Sequence, residues 1–229
     1  MNQNLINTGI LAAAFLVLFV TAELLYHRFK VRAEITRKIV HVFTGVFTLL
    51  FPPMIQNHWL VLVLCGSFLI ILLASWPLKL LPSINAVDRK TNGSILYPII
   101  VYSCYLFYQS YDSLVIYYIP ILILALCDPI AALIGKNMHW KPYTTFGHKK
   151  TVSGSLAFLI SALILSIILL ITIEHHSYST AIILGSIIAI ATTIAEAISH
   201  GGYDNLSIPA TAVGVIIFFD QFTTMTCLN

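Results

Sequence analysis

Long apolar runs repeat along the whole chain, and they constrain its fold more than any other feature. A transmembrane helix needs about 20 mainly apolar residues. Eight candidates are present, at 5–25, 39–56, 58–75, 94–110, 112–135, 153–173, 180–200 and 209–226. Because backbone polar groups cannot stay unpaired in lipid and the runs lack strand alternation, each run is predicted to be an α-helix. The 94–110 run is the weakest candidate, since it holds several tyrosines and a proline.

The composition agrees with a membrane fold. Of the 229 residues, 59% are hydrophobic and 9% are charged, and the mean hydropathy is +0.91. Soluble domains carry about 25% charged residues. The predicted fold class is therefore an all-α polytopic membrane protein, a bundle of about eight transmembrane helices that forms a single domain over residues 1–229. No positive charge precedes the first run, so we interpret it as a retained helix and not as a signal peptide.

All twelve lysines and arginines fall in three segments, which follow the first, third and fifth runs. They are Arg28, Lys30, Arg32, Arg37 and Lys38; Lys79, Arg89 and Lys90; and Lys136, Lys141, Lys149 and Lys150. With eight spans, all three segments lie on one side of the membrane, and the positive-inside rule makes that side cytoplasmic. We therefore expect a multi-pass protein of the cell (inner) membrane with both termini outside.

Net charge and cysteine usage argue against two classes of function. The formal net charge of +3 is too small to indicate a nucleic-acid partner. The four cysteines are scattered and form no C-x-x-C pair, which argues against a zinc site or a disulfide framework. Membrane lipids are the expected surroundings, and the sequence leaves the oligomeric state open.

A first polar cluster lies at the start of the second run. Arg37, Lys38 and His41 are followed by Gly45, and Arg37 and His41 share one helix face because they are four residues apart. One interpretation is a positive-inside anchor with an interfacial histidine. The other is a contact to an anion or a lipid headgroup at the cytoplasmic rim.

A second cluster extends from Asp128 through a glycine-punctuated, lysine-rich loop. A carboxylate inside an apolar span is costly and is a functional candidate. Gly135 and Lys136 follow it, and then come Gly147, Lys149, Lys150, Thr151, Ser153 and Gly154 at the start of the sixth run. A helix N-terminus attracts anions, glycines let the backbone approach a phosphate, and lysines add charge. The segment is no Walker A motif and could be an ordinary connector, but Asp128 favours a function.

A third cluster joins the seventh and eighth runs. Glu196 lies in an otherwise apolar helix, four residues before His200 and on the same face. Asp204 and Asn205 come just before the eighth run, and Asp-Asn ahead of a proline is typical of turn and cap chemistry. A purely structural role is harder to assign to Glu196, because it is an acid within an otherwise apolar helix.

The three clusters fit a phosphoryl-transfer site on the cytoplasmic face. Carboxylates supply the hard oxygen ligands that Mg²⁺ prefers, and lysines with a helix N-terminus bind phosphates. The expected metal ligands are Asp128, Glu196 and Asp204, with Asp204 either a further ligand or the base for an attacking hydroxyl. The expected phosphate contacts are Lys149, Lys150, Thr151 and Gly154.

At these residues the chain resembles the CTP-dependent lipid-alcohol kinases, the family of phytol kinase, dolichol kinase and the fungal CTP-dependent diacylglycerol kinase. The resemblance is carried by RKIVH with a later glycine, by D-x-x-A-A-x-x-G-K, by KKTVSGSLAF, and by an acidic residue followed by DNLSIP. It implies CTP as the phosphoryl donor, a long-chain alcohol of the prenyl type as the acceptor, and a divalent metal.

The resemblance also implies roles for thirteen residues. The nucleotide–metal site would comprise Asp128, Gly135, Lys136, Lys149, Lys150, Thr151, Gly154, Glu196, Asp204 and Asn205, with Arg37, Lys38 and His41 as a supporting cluster. One position departs from the family pattern, which usually has an acid before the glycine where this chain has Ser153. A metal or base role is therefore missing, or moved to Glu196 or Asp204.

A CDP-lipid synthase is one alternative. His200-Gly201-Gly202 followed by Asp204 is similar to the H-G-G-x-x-D signature of phosphatidate cytidylyltransferases. The S-x-x-K-R and K-D elements that precede that signature in those enzymes are not seen. The two reactions differ in the phosphate attacked, because a kinase uses the γ-phosphate and a cytidylyltransferase the α-phosphate.

A small transporter is the second alternative, from another class of protein. The acids Glu23, Asp128, Glu196 and Asp220 lie within apolar runs and could form an ion path. Against this reading, no inverted repeat is evident and the polar groups gather on one face of the membrane.

Overall fold

The computed structural model describes residues 2–86, 92–146 and 148–227, apart from the side chains of 224–227. Gly147, Arg89 and Lys90, named above, lie outside the described residues. The elements in chain order are α1 (Gln3–His27), α2 (Ala33–Thr48), α3 (Phe51–Met54), α4 (His58–Ser75), α5 (Pro82–Asn85), α6 (Gly93–Tyr111), α7 (Leu114–Leu122), a π-helical turn (Ile123–Cys127), α8 (Asp128–Met138), β1 (Pro142–Thr145), β2 (His148–Thr151), α9 (Val152–Thr172), α10 (Tyr178–Ile198) and α11 (Asp204–Cys227).

Six helices in the described part of the chain are long and apolar enough to cross a membrane. They are Gln3–His27, His58–Ser75, Leu114–Met138, Val152–Thr172, Tyr178–Ile198 and Asp204–Thr223. The third of these is continuous from α7 through the π-helical turn to the end of α8. The protein is therefore helical and multi-pass, as predicted. Seven of the eight predicted spans each coincide with one continuous helical segment, and the span at 39–56 does not. The spans at 39–56 and 94–110 are not among the six.

The second predicted span differs most from the structure. Instead of one helix over 39–56, α2 begins at Ala33 and ends at Thr48, and the short α3 follows at Phe51–Met54. Pro52 and Pro53 have no backbone N–H, so the helix cannot continue through them. Arg37 and Lys38 consequently lie inside a helix and not in a loop.

A β-hairpin between α8 and α9 is the second difference, because an all-α fold is predicted. Strands β1 and β2 pair antiparallel, with Tyr143 opposite Lys150 and Thr144 opposite Lys149. Successive side chains in a strand point to opposite faces. The hairpin therefore directs the two neighbouring lysines in different directions, and β2 leads straight into α9.

The α7 helix is the centre of the bundle. Most of its residues from Val115 to Ile121, and most of those of the following π-helical turn, are almost fully buried. Helices α2, α6, α9 and α11 pack around this segment, while α10 packs against α9 and α11, and α4 against α6 and α1. Asp128 begins α8 immediately after the turn, so packing of the central helix fixes its position.

A missing backbone donor explains how α2 is fastened to this centre. The Asp128 N–H donates to the Ile123 carbonyl, five residues back, which is the π-helical pattern. The same pattern would pair the Leu124 carbonyl with residue 129, but Pro129 has no N–H to donate. His41 Nε2 of α2 donates to the Leu124 carbonyl instead, at 3.0 Å. A side chain thus satisfies a buried carbonyl that the helix leaves unpaired.

Gly45 lets α2 come close enough for this hydrogen bond. A Cβ atom added there would lie 2.3 Å from the Cβ of Ala125 in the π-helical turn and 3.0 Å from the Tyr97 hydroxyl. We expect Gly45→Ala to lower the free energy of unfolding by about 1–3 kcal/mol, because both contacting groups belong to packed helices. Thermal unfolding in detergent measures the effect.

Gly66→Ala is the matched control. Gly66 lies in the middle of α4 and has nothing within 4 Å of an added Cβ. Alanine there should stabilise the helix by about 0.5–1 kcal/mol. If Gly45→Ala were as stable as Gly66→Ala, α2 would not depend on close contact with the π-helical turn.

Candidate active site

One cavity of about 590 Å³ gathers the residues that the sequence singles out. This volume is within the range of about 300–1,000 Å³ usual for ligand sites. All thirteen predicted site residues line it: Arg37, Lys38, His41, Asp128, Gly135, Lys136, Lys149, Lys150, Thr151, Gly154, Glu196, Asp204 and Asn205. The structure thus brings three polar clusters, far apart in sequence, around one space, while their individual roles stay predictions.

One face of α2 forms a wall of the cavity. Arg37, His41, Thr44 and Thr48 line it at helical spacing, with Glu34 at the outer end. At 1.5 Å per residue, the stripe from Arg37 to Thr48 is about 16 Å long. The wall changes along its length from charged to hydroxyl-bearing, and the apolar Phe51 of α3 follows it.

The far end of the cavity is an apolar arm. Its walls come from α1, α3, α4 and α6, and they include Phe15, Phe51, Leu64, Phe68 and Val101. The rings of Phe15 and Phe68 meet edge to face with centroids 5.0 Å apart. The arm is continuous with the charged end, so the whole cavity has the shape and polarity of an amphiphile.

A partly buried ion pair lies at the charged end. Lys150 Nζ is 2.6 Å from Glu196 Oε1 and also donates to the Glu196 carbonyl. The side chains of the pair are only 18% and 11% exposed. Glu196 Oε2 is buried and makes no hydrogen bond within the protein. A buried carboxylate oxygen without a partner is costly, so this atom is a strong candidate for contact with a bound cation or substrate.

The two lysines of β2 are not equivalent. Lys150 faces Glu196 because the hairpin turns its side chain inward, whereas Lys149 is exposed at the opposite strand face. The sequence predicted one shared role for them. In the structure Lys150 is paired with a carboxylate, and Lys149 is the more exposed of the two charges.

The three predicted metal ligands do not form a tight triad. Asp128 interacts electrostatically with Asp204 and Glu196, and also with Lys150 and Lys38. Within residues 2–86, 92–146 and 148–227, however, no group of three His, Cys, Asp or Glu side chains is close enough to hold a metal ion. Glu196 Oε1 is instead paired with Lys150. Mg²⁺ usually binds one or two carboxylates together with phosphates and water, so two of the three carboxylates are enough.

Gly135 and Gly154 have a packing role that the sequence did not indicate. An added Cβ at Gly135 would lie 2.7 Å from Thr151 Oγ1, and one at Gly154 would lie 3.0 Å from the Ala131 carbonyl. The two glycines therefore allow α8 and α9 to cross in close contact. This contact, and not only an approach to phosphate, accounts for glycine at both positions.

Two amides at the start of α9 already have partners in the protein. Thr151 is the N-cap, and its Oγ1 accepts from the Gly154 N–H at 3.1 Å. The Val152 N–H donates to the Lys141 carbonyl. The helix N-terminus thus offers fewer free donors to a phosphate than the sequence predicted.

Ser153 lies outside the cavity lining. Its side chain is buried and its hydroxyl donates to Thr151 Oγ1 at 3.2 Å. The departure from the family pattern at this position therefore removes no carboxylate from the wall of the cavity. It changes the hydrogen bonding of the N-cap of α9 instead.

Two predicted site residues hold structural contacts at the rim. Asn205 Nδ2 donates to the Gly93 carbonyl at 2.7 Å and so joins α11 to the start of α6. Lys136 forms an exposed ion pair with Glu34, at 2.7 Å. Both still line the cavity, but their positions are explained by these contacts.

Lysine and arginine side chains lie close together at the mouth of the cavity, alongside carboxylates. Lys38 precedes the apolar part of α2, and burial lowers its pKa, with the charge of Lys136 lowering it further. Glu34 and Asp128 act in the opposite sense on the same pKa. A bound anion would relieve the repulsion between the lysines, as expected for a phosphate site.

A comparison with known proteins decides the family. The chain is 30% identical over 201 residues to phytol kinase of Synechocystis sp., a match that covers 87% of this chain and 85% of the relative. No protein-family model and no solved structure matches the chain. The chain belongs to the CTP-dependent lipid-alcohol kinase family. It is therefore a kinase of lipid alcohols and a multi-pass membrane protein, with a nucleotide as its phosphoryl donor.

Thr44, Tyr97 and His148 line the kinase cavity but were not predicted from the sequence, whereas His200 was named in the third cluster without being assigned to the site. Thr44 and Tyr97 line its middle, and His148 and His200 line its mouth with their rings stacked, centroids 5.4 Å apart. The two histidines are 52 positions apart in the sequence, and no local pattern links them. The apolar setting of Thr44 and Tyr97 gave them the appearance of span residues.

The ion pair of Lys150 and Glu196 should contribute more to stability than the exposed pair of Lys136 and Glu34. We expect Lys150→Met or Glu196→Gln alone to lower the free energy of unfolding by about 3–5 kcal/mol, because each leaves a buried charge without its partner. The double variant should cost much less than the sum. A double-mutant cycle measured by unfolding in detergent tests this.

The Lys136→Met and Glu34→Gln cycle is the control. Exposed pairs contribute about 0–1 kcal/mol, so these substitutions should be nearly additive. Equal coupling in the two cycles would contradict the assignment of Lys150 and Glu196 as a buried pair.

Proposed function

We propose that this protein transfers the γ-phosphate of CTP to the hydroxyl of a long-chain prenyl alcohol, with Mg²⁺, at the cytoplasmic face of the cell membrane. The observation that carries the proposal is the single cavity whose charged end is continuous with an apolar arm. A phosphoryl donor is charged and water-soluble, whereas the acceptor is a hydroxyl on an apolar tail. The two ends of the cavity match these two substrates.

The nucleotide would bind at the mouth. Lys38, Lys149 and Lys150 provide positive charge for its phosphates. The stacked rings of His148 and His200 offer a surface for its base, since bases stack on aromatic side chains. The choice of CTP over other nucleotides comes from the family, and competition between nucleotides tests it.

The carboxylates of the cavity suit a magnesium ion by their chemistry. Asp128 offers hard oxygen ligands, and the unpartnered Oε2 of Glu196 provides another. These two residues would hold Mg²⁺, which would neutralise the charge that develops on the phosphates. Lys150, paired with Glu196, would place its ammonium group beside the same phosphates.

The proposed reaction needs a base for the alcohol hydroxyl and an in-line approach of its oxygen to the γ-phosphorus. The oxygen of the alcohol attacks the γ-phosphorus, the bond between that phosphorus and the bridging oxygen breaks, and CDP leaves with the bonding electrons. Asp204 would take the proton of the hydroxyl. Asp204 interacts electrostatically with both Asp128 and His41, which supports a role for it close to the proposed metal ligand Asp128.

The orientation of the protein rests on its charge distribution. Five residues of the charged end belong to the lysine- and arginine-rich segments themselves: Arg37, Lys38, Lys136, Lys149 and Lys150. The positive-inside rule assigns the side of these segments to the cytoplasm, where the nucleotide is available.

Separately labelled CTP tests the reaction directly. We expect protein in lipid nanodiscs with Mg²⁺ to move label from the γ-position, and not from the α-position, into a lipid product with prenyl alcohols. The other acceptors in the panel are diacylglycerol and phosphatidic acid. Label from the α-position that appears only with phosphatidic acid would instead establish a cytidylyltransferase.

Replacing Asp128 tests the role of the central carboxylate. Asp128→Asn keeps the shape of the side chain and removes its charge, so we expect kcat to fall by about 10²–10³-fold, as for other single electrostatic groups in active sites. Asp112→Asn is the matched control, since Asp112 is exposed at the opposite end of the bundle in a left-handed conformation that asparagine also adopts. Unchanged turnover in a folded Asp128→Asn protein would remove Asp128 from the mechanism.

A further inference from the structure

Two hydroxyl groups in the middle of the cavity have no partner in the protein. They are the Oη of Tyr97 on α6 and the Oγ1 of Thr44 on α2, and both atoms are buried. The Tyr97 side chain belongs to a residue that is only 6% exposed. Buried polar atoms in proteins nearly always have hydrogen-bond partners, so two orphans that line one cavity require an explanation.

Thr44 is unusual among the helical threonines. A threonine in a helix commonly donates its hydroxyl to a carbonyl three or four residues back. Thr8, Thr48, Thr172 and Thr192 all do so. The Thr44 hydroxyl forms no such bond and remains available to the cavity.

Tyr97 is unusual among the buried tyrosines. The hydroxyl of Tyr105 donates to the Ile55 carbonyl, and that of Tyr117 donates to the Thr48 carbonyl. The hydroxyl of Tyr97 lies beside Thr48 Oγ1 without the geometry of a hydrogen bond, and Thr48 Oγ1 already donates to Gly45. Its ring meets His41 edge to face, with centroids 5.1 Å apart.

The two orphans lie where the cavity changes polarity. Thr44 follows His41 by three residues on the same face of α2, which is about 4.5 Å along the helix. Beyond it Thr48 still lines the cavity, but its hydroxyl already donates to the Gly45 carbonyl, and the lining then becomes apolar with Phe51 and Phe68. On α6 the lining changes in the same order, from Ser94 through Tyr97 to Val101. A hydroxyl on an apolar tail would have its oxygen at this level.

We propose that Thr44 and Tyr97 form the binding site for the acceptor hydroxyl, and that they hold the oxygen of the lipid alcohol at the boundary between the charged end and the apolar arm. The inference rests on the proposed function, because it takes the acceptor to be a long-chain alcohol. Each hydroxyl can donate to the alcohol oxygen or accept its proton. His41, next to both, interacts with Asp204, so the bound hydroxyl would lie near the proposed base.

Isosteric variants test the site. Tyr97→Phe and Thr44→Val remove only the hydroxyl function. We expect each to raise the KM for the alcohol about tenfold, the effect of one lost hydrogen bond, and to leave the KM for the nucleotide unchanged. Their thermal stability should be equal to that of the wild type or higher, because neither hydroxyl has a partner in the free protein.

Tyr105→Phe and Thr192→Val are the matched controls. Both residues are buried, both hydroxyls have partners, and neither lines the cavity. Tyr105→Phe should lower the unfolding temperature, because it leaves the Ile55 carbonyl unpaired, without changing the KM for the alcohol. Removal of a cavity hydroxyl should thus raise the KM for the alcohol without lowering stability. Removal of the Tyr105 hydroxyl should lower stability without changing that KM.

A binding measurement separates this inference from the proposed reaction. Tritiated geranylgeraniol bound to protein in nanodiscs is displaced by unlabelled geranylgeraniol or by the matching hydrocarbon without a hydroxyl. We expect the wild type to prefer the alcohol about tenfold, and Tyr97→Phe and Thr44→Val to lose the preference.

The outcomes are distinct. Unchanged KM and unchanged preference in both variants would overturn the hydroxyl site, even where the wild type phosphorylates prenyl alcohols. A wild type that prefers the alcohol but transfers no phosphate to it would support the hydroxyl site and contradict the proposed kinase reaction. Variants that lose stability together with nucleotide and alcohol binding would assign Thr44 and Tyr97 a structural role and overturn the inference.

Discussion

The hydrogen bond from His41 to the Leu124 carbonyl is the contact on which the active site depends. Pro129 leaves this carbonyl without a backbone donor, inside a bundle where water does not replace it, and such a group costs several kcal/mol if unpaired. Supplying the donor from α2 joins the wall of the cavity to the helix that carries Asp128. Gly45 makes the approach close enough. His41, predicted as a contact to an anion or headgroup, is in the structure a partner of the backbone that leads into Asp128.

This connection gives one cavity two ends of opposite character. Because α2 and α6 both change from polar to apolar at the same level, the cavity has a charged half and an apolar half that meet at Thr44 and Tyr97. Electrostatic interactions are stronger in a low-dielectric interior than in water. A lysine beside a phosphate is therefore most effective in a partly buried site, provided that another group offsets the cost of burying its own charge. Glu196 offsets this cost for Lys150.

The sequence predicted the parts of this arrangement that depend on local pattern. Apolar runs indicated the helices, and polar residues at their ends indicated three clusters on one face, which the cavity brings together. Contacts between distant residues were not predictable. The partner of Lys150 lies 46 positions away, and the partner of the Leu124 carbonyl lies 83 positions away. The hairpin strands have four residues each, too few for the alternation of polar and apolar residues in a strand to be visible. The unpaired hydroxyl of Tyr97 can be recognised only when its neighbours in the fold are known.

Ser153 shows how a departure from the family pattern can change the chemistry of a neighbour. A carboxylate at this position would only accept hydrogen bonds, and it would draw the hydroxyl proton of Thr151 toward itself. The serine hydroxyl instead donates to Thr151 Oγ1, which also accepts from the Gly154 N–H. With both of these donors directed at its oxygen, Thr151 has its own proton free for another acceptor. Thr151 lines the cavity, so that proton is available to a phosphate oxygen. Compared with a carboxylate, Ser153 thus removes a negative charge from the start of α9 and leaves the Thr151 hydroxyl free to donate into the cavity, where the proposed function would have an anionic nucleotide bind.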